Sequence, residues 1–243
     1  MNNIIAIFIK QFTSLIKVPS MIIQGVLFLI IAAVFAFFIG EDEICLTCIP
    51  AYICTECAEI FELPIPSGIG LFAVIFIGLA LVGSTSGLVN EDKTTTNLRF
   101  MAMAEVKPYQ YLLGTFASSI IVVTVMLVPY ALLGRYFGTD MFWFITVGVA
   151  GGMVSILLGT VIGLSKFPIL ATPLSLILGL GPTLGGLNES VANALRFTFI
   201  QQVNIAFADF DEDLTSNFLI IGANGIVVLI IFLIMHRKNK FNV

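Results

Sequence analysis

Long apolar runs dominate the chain and recur at six places, separated by polar or charged segments. Each run approaches the roughly 20 apolar residues that an α-helix needs to cross the hydrocarbon core of a bilayer. The pattern therefore predicts six transmembrane helices, at about residues 21–40, 68–89, 110–133, 142–165, 167–187 and 217–235. No large soluble domain fits between them, so we expect residues 1–243 to form one transmembrane domain.

The segment before the first run, residues 2–17, carries apolar side chains at helical spacing, with polar residues largely elsewhere. The apolar positions are Ile4, Ile5, Phe8, Phe12, Leu15 and Ile16. This pattern predicts an amphipathic helix that lies in the membrane interface and ends at Pro19. The alternative is a short extension of the first span. No A-x-A-like cleavage site follows the first run, so we expect the N-terminal segment to be retained.

Residues 188–208 are too polar to span a membrane but keep an apolar side. That side consists of Val191, Leu195, Phe199, Val203 and Phe207. The pattern predicts one or two short outer-leaflet helices before the last span, with Asn188 as an N-cap. Because the preceding run contains Pro182 among several glycines, we expect its outer end to be kinked or broken.

The fourth run repeats glycine at four-residue intervals, as Gly148 with Gly152 and Gly159 with Gly163. Small residues at this spacing allow two helices to approach closely in a membrane. Tight packing inside one subunit is the favoured interpretation.

Composition agrees with a polytopic membrane protein, because 58% of the residues are hydrophobic and only 11% are charged. With six spans and a cytoplasmic N-terminus, most cations fall on the inner side: Lys10, Lys17, Lys93, Arg99, Lys107, Lys166, Arg237, Lys238 and Lys240. Only Arg135 and Arg196 fall outside. The positive-inside rule therefore predicts that both termini lie in the cytoplasm, and we expect the protein to reside in the plasma membrane. Most acids fall outside, so the net charge of −4 implies no basic partner, and no nucleic acid is expected.

The predicted spans contain no aspartate, glutamate, lysine, arginine or histidine, which argues against an ion-coupled carrier. The chain also lacks a G-x-S-x-G element, an H-E-x-x-H element and a G-x-x-x-x-G-K-[ST] phosphate loop. Its one histidine, His236, lies in a basic tail that favours membrane anchoring over catalysis. We therefore expect no enzymatic activity and no cofactor in this chain. If ATP drives the protein, another chain must hydrolyse it.

Residues 88–115 form a charged island between the second and third runs. It begins with Glu91, Asp92 and Lys93, continues through an amphipathic stretch, and ends at Lys107 and Pro108. The aromatic residues Tyr109 and Tyr111 then begin the next span. The amphipathic stretch contains Leu98, Arg99, Phe100, Met101 and Met103. This order resembles the first cytoplasmic loop of ABC-2 type exporter permeases, which leads through a coupling helix into the next span. The N-terminal helix, the six spans and the helical outer loop resemble that family as well.

The resemblance implies that two permease subunits, alike or different, form the membrane pore. Two separate ATPase subunits, which bind ATP and Mg²⁺, would dock beneath it, with residues 91–107 as the main docking element. The uncharged spans favour a hydrophobic or amphipathic cargo, and export of a peptide such as a toxin or antimicrobial is the first choice. Drug or lipid extrusion is the alternative within transport. The alternative from another class is a peptide-sensing or immunity protein that binds its ligand at acidic outer loops.

The four cysteines form two C-x-x-C pairs, Cys45 with Cys48 and Cys54 with Cys57. The predicted topology places them outside the cell, where oxidation is favoured, so disulfides are the first expectation. Four thiolates can also hold tetrahedral Zn²⁺, although the usual spacing between pairs is longer. Free thiols are the third alternative. Four cysteines allow three pairings, and the sequence does not choose among them.

Overall fold

The computed structural model describes residues 2–17, 20–39, 65–95, 106–187, 189–210 and 214–239, and these contain helices and turns but no strand. In chain order the elements are α1 (Asn2–Lys17), α2 (Ser20–Ile39), α3 (Ile65–Ile75), a π-helical segment (Phe76–Leu81), α4 (Val82–Thr94), α5 (Pro108–Leu133), α6 (Thr139–Leu164), a 3₁₀ turn (Pro168–Leu170), α7 (Ala171–Leu187), α8 (Glu189–Leu195), α9 (Phe199–Ala208) and α10 (Leu214–Asn239).

Four helical stretches are long and apolar enough to cross a membrane: Gly68–Thr94, Tyr109–Leu133, Thr139–Leu164 and Leu214–Met235. Two further apolar stretches in the described residues, Met21–Phe37 and Pro168–Leu184, are shorter. The described residues thus confirm the prediction of an all-α fold, and four of their helices have the length and apolarity of membrane spans. The count of six remains a prediction.

The second predicted span differs from its expected extent at the end nearest the charged island. Its helix continues through α4 to Thr94, beyond residue 89. Both the backbone N–H and the hydroxyl of Thr95 donate to the carbonyl of Glu91, at 2.8 and 2.7 Å. Hydropathy shows where the apolar side chains end. The end of the helix is instead set by the last backbone hydrogen bonds, which lie further along the chain. Glu91, Asp92 and Lys93 therefore occupy the last helical turn and not an extended loop.

Helix α6 packs against α4 in the core of the bundle, and glycines allow the two helices to approach closely. A Cβ atom added at Gly159 would lie 2.7 Å from the carbonyl oxygen of Val82, and one added at Gly163 would lie 2.7 Å from that of Ser86. Backbone cannot move aside as a flexible side chain can. The predicted role of these glycines in close helix contact inside the chain is confirmed.

Helix α1 lies against α5 and buries one narrow face. Ile7, Gln11 and Leu15 are buried there, while Ile5 and Ile9 are about half exposed. The helix itself was predicted, but the sequence placed Gln11 on the polar side. Whether α1 lies in a membrane interface stays a prediction.

At the opposite end of the bundle, α7 continues through Pro182 to Leu187, so the helix is not broken there, and a kink at its outer end stays a prediction. The predicted pair of short helices follows as α8 and α9, although the proposed cap Asn188 lies outside the described residues.

The hydroxyl of Tyr136 donates to the carbonyl of Phe207 at 3.1 Å. Burial, with a smaller contribution from Asp140, raises the pKa of Tyr136 well above its ordinary value.

Candidate functional site

The carboxylate of Asp92 is the centre of a polar cluster that joins three helices. Its Oδ1 accepts a hydrogen bond from Nζ of Lys10 at 2.6 Å. Its Oδ2 accepts from Nε2 of Gln11 at 2.8 Å and from the hydroxyl of Tyr111 at 3.0 Å. We call these four residues the Asp92 cluster. Because they belong to α1, α4 and α5, the cluster connects the last turn of α4 and the first turn of α5 to the middle of α1.

Three of the four residues in the Asp92 cluster are buried, so their polar groups depend on one another for hydrogen bonds. Asp92, Gln11 and Tyr111 are 5%, 1% and 4% exposed, whereas the side chain of Lys10 is 35% exposed. A buried carboxylate is costly unless paired and hydrogen-bonded, and here it accepts three bonds, one of them from a cation. Removing one partner from such a group leaves other buried atoms unsatisfied. The cluster is therefore able to fix α1 against α4 and α5.

Apolar side chains pack beside the Asp92 cluster on the same three helices. Ile7, Val89 and Tyr111 form a buried group, and Val106 and Leu164 pack against it. This packing keeps water from the polar contacts and strengthens them. It also brings Val106, the first described residue after the gap in the island, into the same assembly.

Lys93 joins the end of α4 to the end of α6. Its Nζ donates to the carbonyl of Ser165 at 2.7 Å and approaches that of Leu164 at 3.4 Å. The last carbonyls of a helix lack intrahelical partners and carry partial negative charge, so a lysine is favourable there. Four helices thus converge around residues 91–93 and their immediate partners.

The other predicted coupling residues divide into two groups. Glu91 and Lys107 are exposed, and the backbone N–H of Lys107 donates to Oε1 of Gln110 at 2.9 Å at the start of α5. Leu98, Arg99, Phe100, Met101 and Met103 lie outside the described residues. So do the four cysteines, which leaves disulfides, metal and free thiols as open alternatives.

Sequence reasoning missed Gln11 and Tyr111 as partners of Asp92. Gln11 lies four residues after Ile7 and four before Leu15, and this spacing is the signal in the sequence that could have placed it on the buried face instead of the polar one. Tyr111 was noted only as an aromatic residue at the start of a span. Their contacts join positions 81 and 19 residues away in the chain, which no local pattern reveals.

The described residues contain no group of three or more histidine, cysteine, aspartate or glutamate side chains suited to a metal ion. The Asp92 cluster joins the last turn of α4, which belongs to the charged island, to α1 and α5. Searches of family models, curated proteins and solved structures find no match for this chain.

Proposed function

We propose that this chain is the membrane-spanning permease subunit of an ATP-driven exporter of the ABC-2 type. It pairs with a second permease subunit and with separate ATPase subunits, which supply ATP hydrolysis. Six spans cross the plasma membrane, both termini face the cytoplasm, and α1 lies in the inner interface. The support comes from the resemblance of the charged island and from the four apolar helices of membrane-spanning length.

The observation that carries the proposal is the Asp92 cluster. A permease without its own nucleotide site needs a rigid connection between the docking segment and the spans. Residues 96–105 are flanked by α4, which bears Asp92, and by α5, which bears Tyr111. A displacement of that segment would therefore reach α1, α4 and α5 together instead of bending a single helix.

The proposed contact with the ATPase uses both apolar and charged side chains. Leu98, Phe100, Met101 and Met103 would enter an apolar groove of the ATPase. Glu91, Lys93, Arg99 and Lys107 would set the register of the contact, since charges at a rim fix orientation and partner choice. Asp92 has a different role in this proposal, because its carboxylate is buried against residues of its own chain.

The proposed cargo is hydrophobic or amphipathic, with a peptide as the first choice. The described residues within the apolar stretches carry few charges away from their ends, so a strongly polar cargo would find few partners along them. The peptide assignment rests on the resemblance alone and not on a contact in the fold.

The test is a photocrosslinker placed at Phe100 in the otherwise native chain, expressed in cells that contain its natural partners. We expect irradiation to attach a soluble ATPase that carries a phosphate loop, and the purified complex to hydrolyse ATP. Phe137 supplies a matched control, because it is 65% exposed and lies at the far end of α5. The same crosslinker at Phe137 should not capture the ATPase.

Replacing Phe100 and Met101 by Asp should abolish ATPase association while leaving membrane insertion and yield unchanged. Phe137→Asp should leave association intact. If the double variant still binds the ATPase and supports export, the coupling role of the island is wrong. If an intact chain never associates with an ATPase, the peptide-sensing or immunity alternative replaces export.

A further inference from the structure

A cleft of about 320 Å³ lies beside the Asp92 cluster, between α1, the first turns of α2, and α4. Its volume is at the lower end of the range of small-molecule sites in proteins. Leu15 and Leu88 form apolar parts of its wall, and Glu91 lies at its rim. The exposure of Gly87 and Glu91 shows that the cleft opens to the surroundings along α4.

Two polar atoms in the lining residues are buried without a hydrogen-bond partner among the described residues. They are Oε1 of Gln24 on α2 and Oγ of Ser84 on α4. An unsatisfied buried polar atom typically costs enough free energy that native structures pair almost all of them. Both oxygens can accept hydrogen bonds, although the hydroxyl of Ser84 can also donate one, and a ligand that carries N–H donors would satisfy both acceptors.

Charge restricts that donor further. Ser84, Leu88 and Glu91 follow one another at spacings of four and three residues, so they lie on one face of α4. Glu91 is the only charged residue lining the cleft among those described. The nearby cation Lys10 is already paired with Asp92 at 2.6 Å. An N–H donor with a positive charge is therefore favoured over an anion or a neutral group.

Part of the open space in the cleft exists because two of its lining residues are glycines, which have no side chain. A Cβ atom added at Gly87 would meet nothing within 4 Å, and one at Gly83 would meet only Oγ of Ser175 at 4.0 Å. Neither glycine is required for helix packing, in contrast to Gly159 and Gly163. Glycine inside a helix is less favourable than alanine by about 1 kcal/mol. A side chain would fit at both positions, so packing does not explain why glycine occupies them.

We propose that this cleft binds a primary ammonium group carried on an apolar chain. The ammonium donates to the buried oxygens of Gln24 and Ser84, and the chain lies along Leu15 and Leu88. Glu91 lies about 10 Å further along α4 than Ser84, so its negative charge at the rim attracts the cation without a direct bond. A lipid with an ethanolamine headgroup and a free alkylamine share this chemistry. One part of this proposal rests on the proposed function. If the chain is an exporter subunit, the cleft is the entry site for amphipathic cargo from the inner leaflet.

The test uses the purified chain in phosphatidylcholine nanodiscs, without an ATPase, and measures the shift in thermal unfolding on adding dodecylammonium. Dodecyltrimethylammonium is the matched ligand control, since it keeps the charge and the chain but has no N–H donor. We expect dodecylammonium to raise the unfolding temperature more than the trimethyl compound, in a saturable manner. Glu91→Gln should weaken the apparent affinity by about tenfold, because the rim of the cleft loses its negative charge near the bound cation.

Gly87→Leu should fill the cleft and abolish the shift, because open space receives the new side chain. Gly222→Leu is the matched control on α10, where an added Cβ also meets nothing within 4 Å. It should bind as the native chain does. Equal shifts with both amphiphiles, or native binding by Gly87→Leu, would overturn the proposal.

Nanodiscs that contain phosphatidylethanolamine identify the source of the ammonium. If the lipid occupies the cleft, the native chain becomes more stable than Gly87→Leu in these nanodiscs and no longer responds to dodecylammonium. If the response persists, the free amphiphile is the ligand. If the native chain shows no response to dodecylammonium in phosphatidylcholine, the cleft is not a binding site for an ammonium. The proposed ATPase partnership is tested separately, by the crosslinking experiment.

Discussion

Removing the carboxylate of Asp92 is the sharpest test of the junction between α1, α4 and α5. In Asp92→Ala, Nε2 of Gln11 and the hydroxyl of Tyr111 lose an acceptor in a site where both residues are buried. Nε2 of Gln11 still lies 3.4 Å from the hydroxyl of Tyr111, so part of the loss is recovered. The ion pair contributes less, because the side chain of Lys10 is 35% exposed.

An unsatisfied buried donor costs about 1–3 kcal/mol, and a partly exposed ion pair contributes at most about 1 kcal/mol. For Asp92→Ala we therefore expect a loss of about 3 kcal/mol in unfolding free energy. For a chain of this length, that corresponds to a fall of about 9 °C in unfolding temperature. Asp92→Asn retains one oxygen acceptor and should fall between the native chain and Asp92→Ala.

The assay is thermal unfolding of the purified protein in one detergent, together with the rate at which a protease cleaves within residues 2–17. Asp92→Ala should accelerate that cleavage because α1 is released from α4 and α5. Glu91→Ala is the control, since its exposed side chain has no hydrogen bond in the described residues, and it should stay within about 0.5 kcal/mol of the native chain. If Asp92→Ala unfolds within 2 °C of Glu91→Ala, roughly 0.5–1 kcal/mol, and shows the same cleavage rate, the cluster does not hold α1 in place.

Three further predictions concern packing, topology and the cysteines. Gly159→Ala should destabilise the protein by about 1–2 kcal/mol, because overpacking against backbone exceeds the gain in helix propensity, whereas Gly222→Ala should be neutral or stabilising in the same unfolding assay. In a background without native cysteines, Lys107→Cys should react with a membrane-impermeant thiol reagent only after cells are opened, and Asp209→Cys should react in intact cells; the reverse result inverts the topology. Intact mass after alkylation, with and without reduction, should reveal disulfides among residues 45–57, and four free thiols without bound metal would refute them.

Hydropathy by itself determined the class of fold. Runs of about 20 apolar residues have few stable arrangements other than membrane-type helices, because the backbone must satisfy its own hydrogen bonds where water is absent. Glycine spacing in α6 likewise predicted the close contact at Gly159 and Gly163, since a missing side chain permits approach whatever the neighbour is. The periodicity of residues 2–17 and 188–208 predicted helices in those regions.

Tertiary structure alone decided which polar groups meet. The sequence assigned Asp92 to a docking loop with Glu91 and Lys93, because neighbouring charges look alike in one dimension. The helix continues to Thr94 and rotates each successive residue by about 100°, so Glu91 faces outward while Asp92 faces Gln11 and Tyr111. The cleft beside Gly87 likewise depends on tertiary structure, because α1 and α2 must meet α4 beside its glycines to enclose the open space. Local pattern determines which segments become helices, and long-range packing determines which face of each helix is buried.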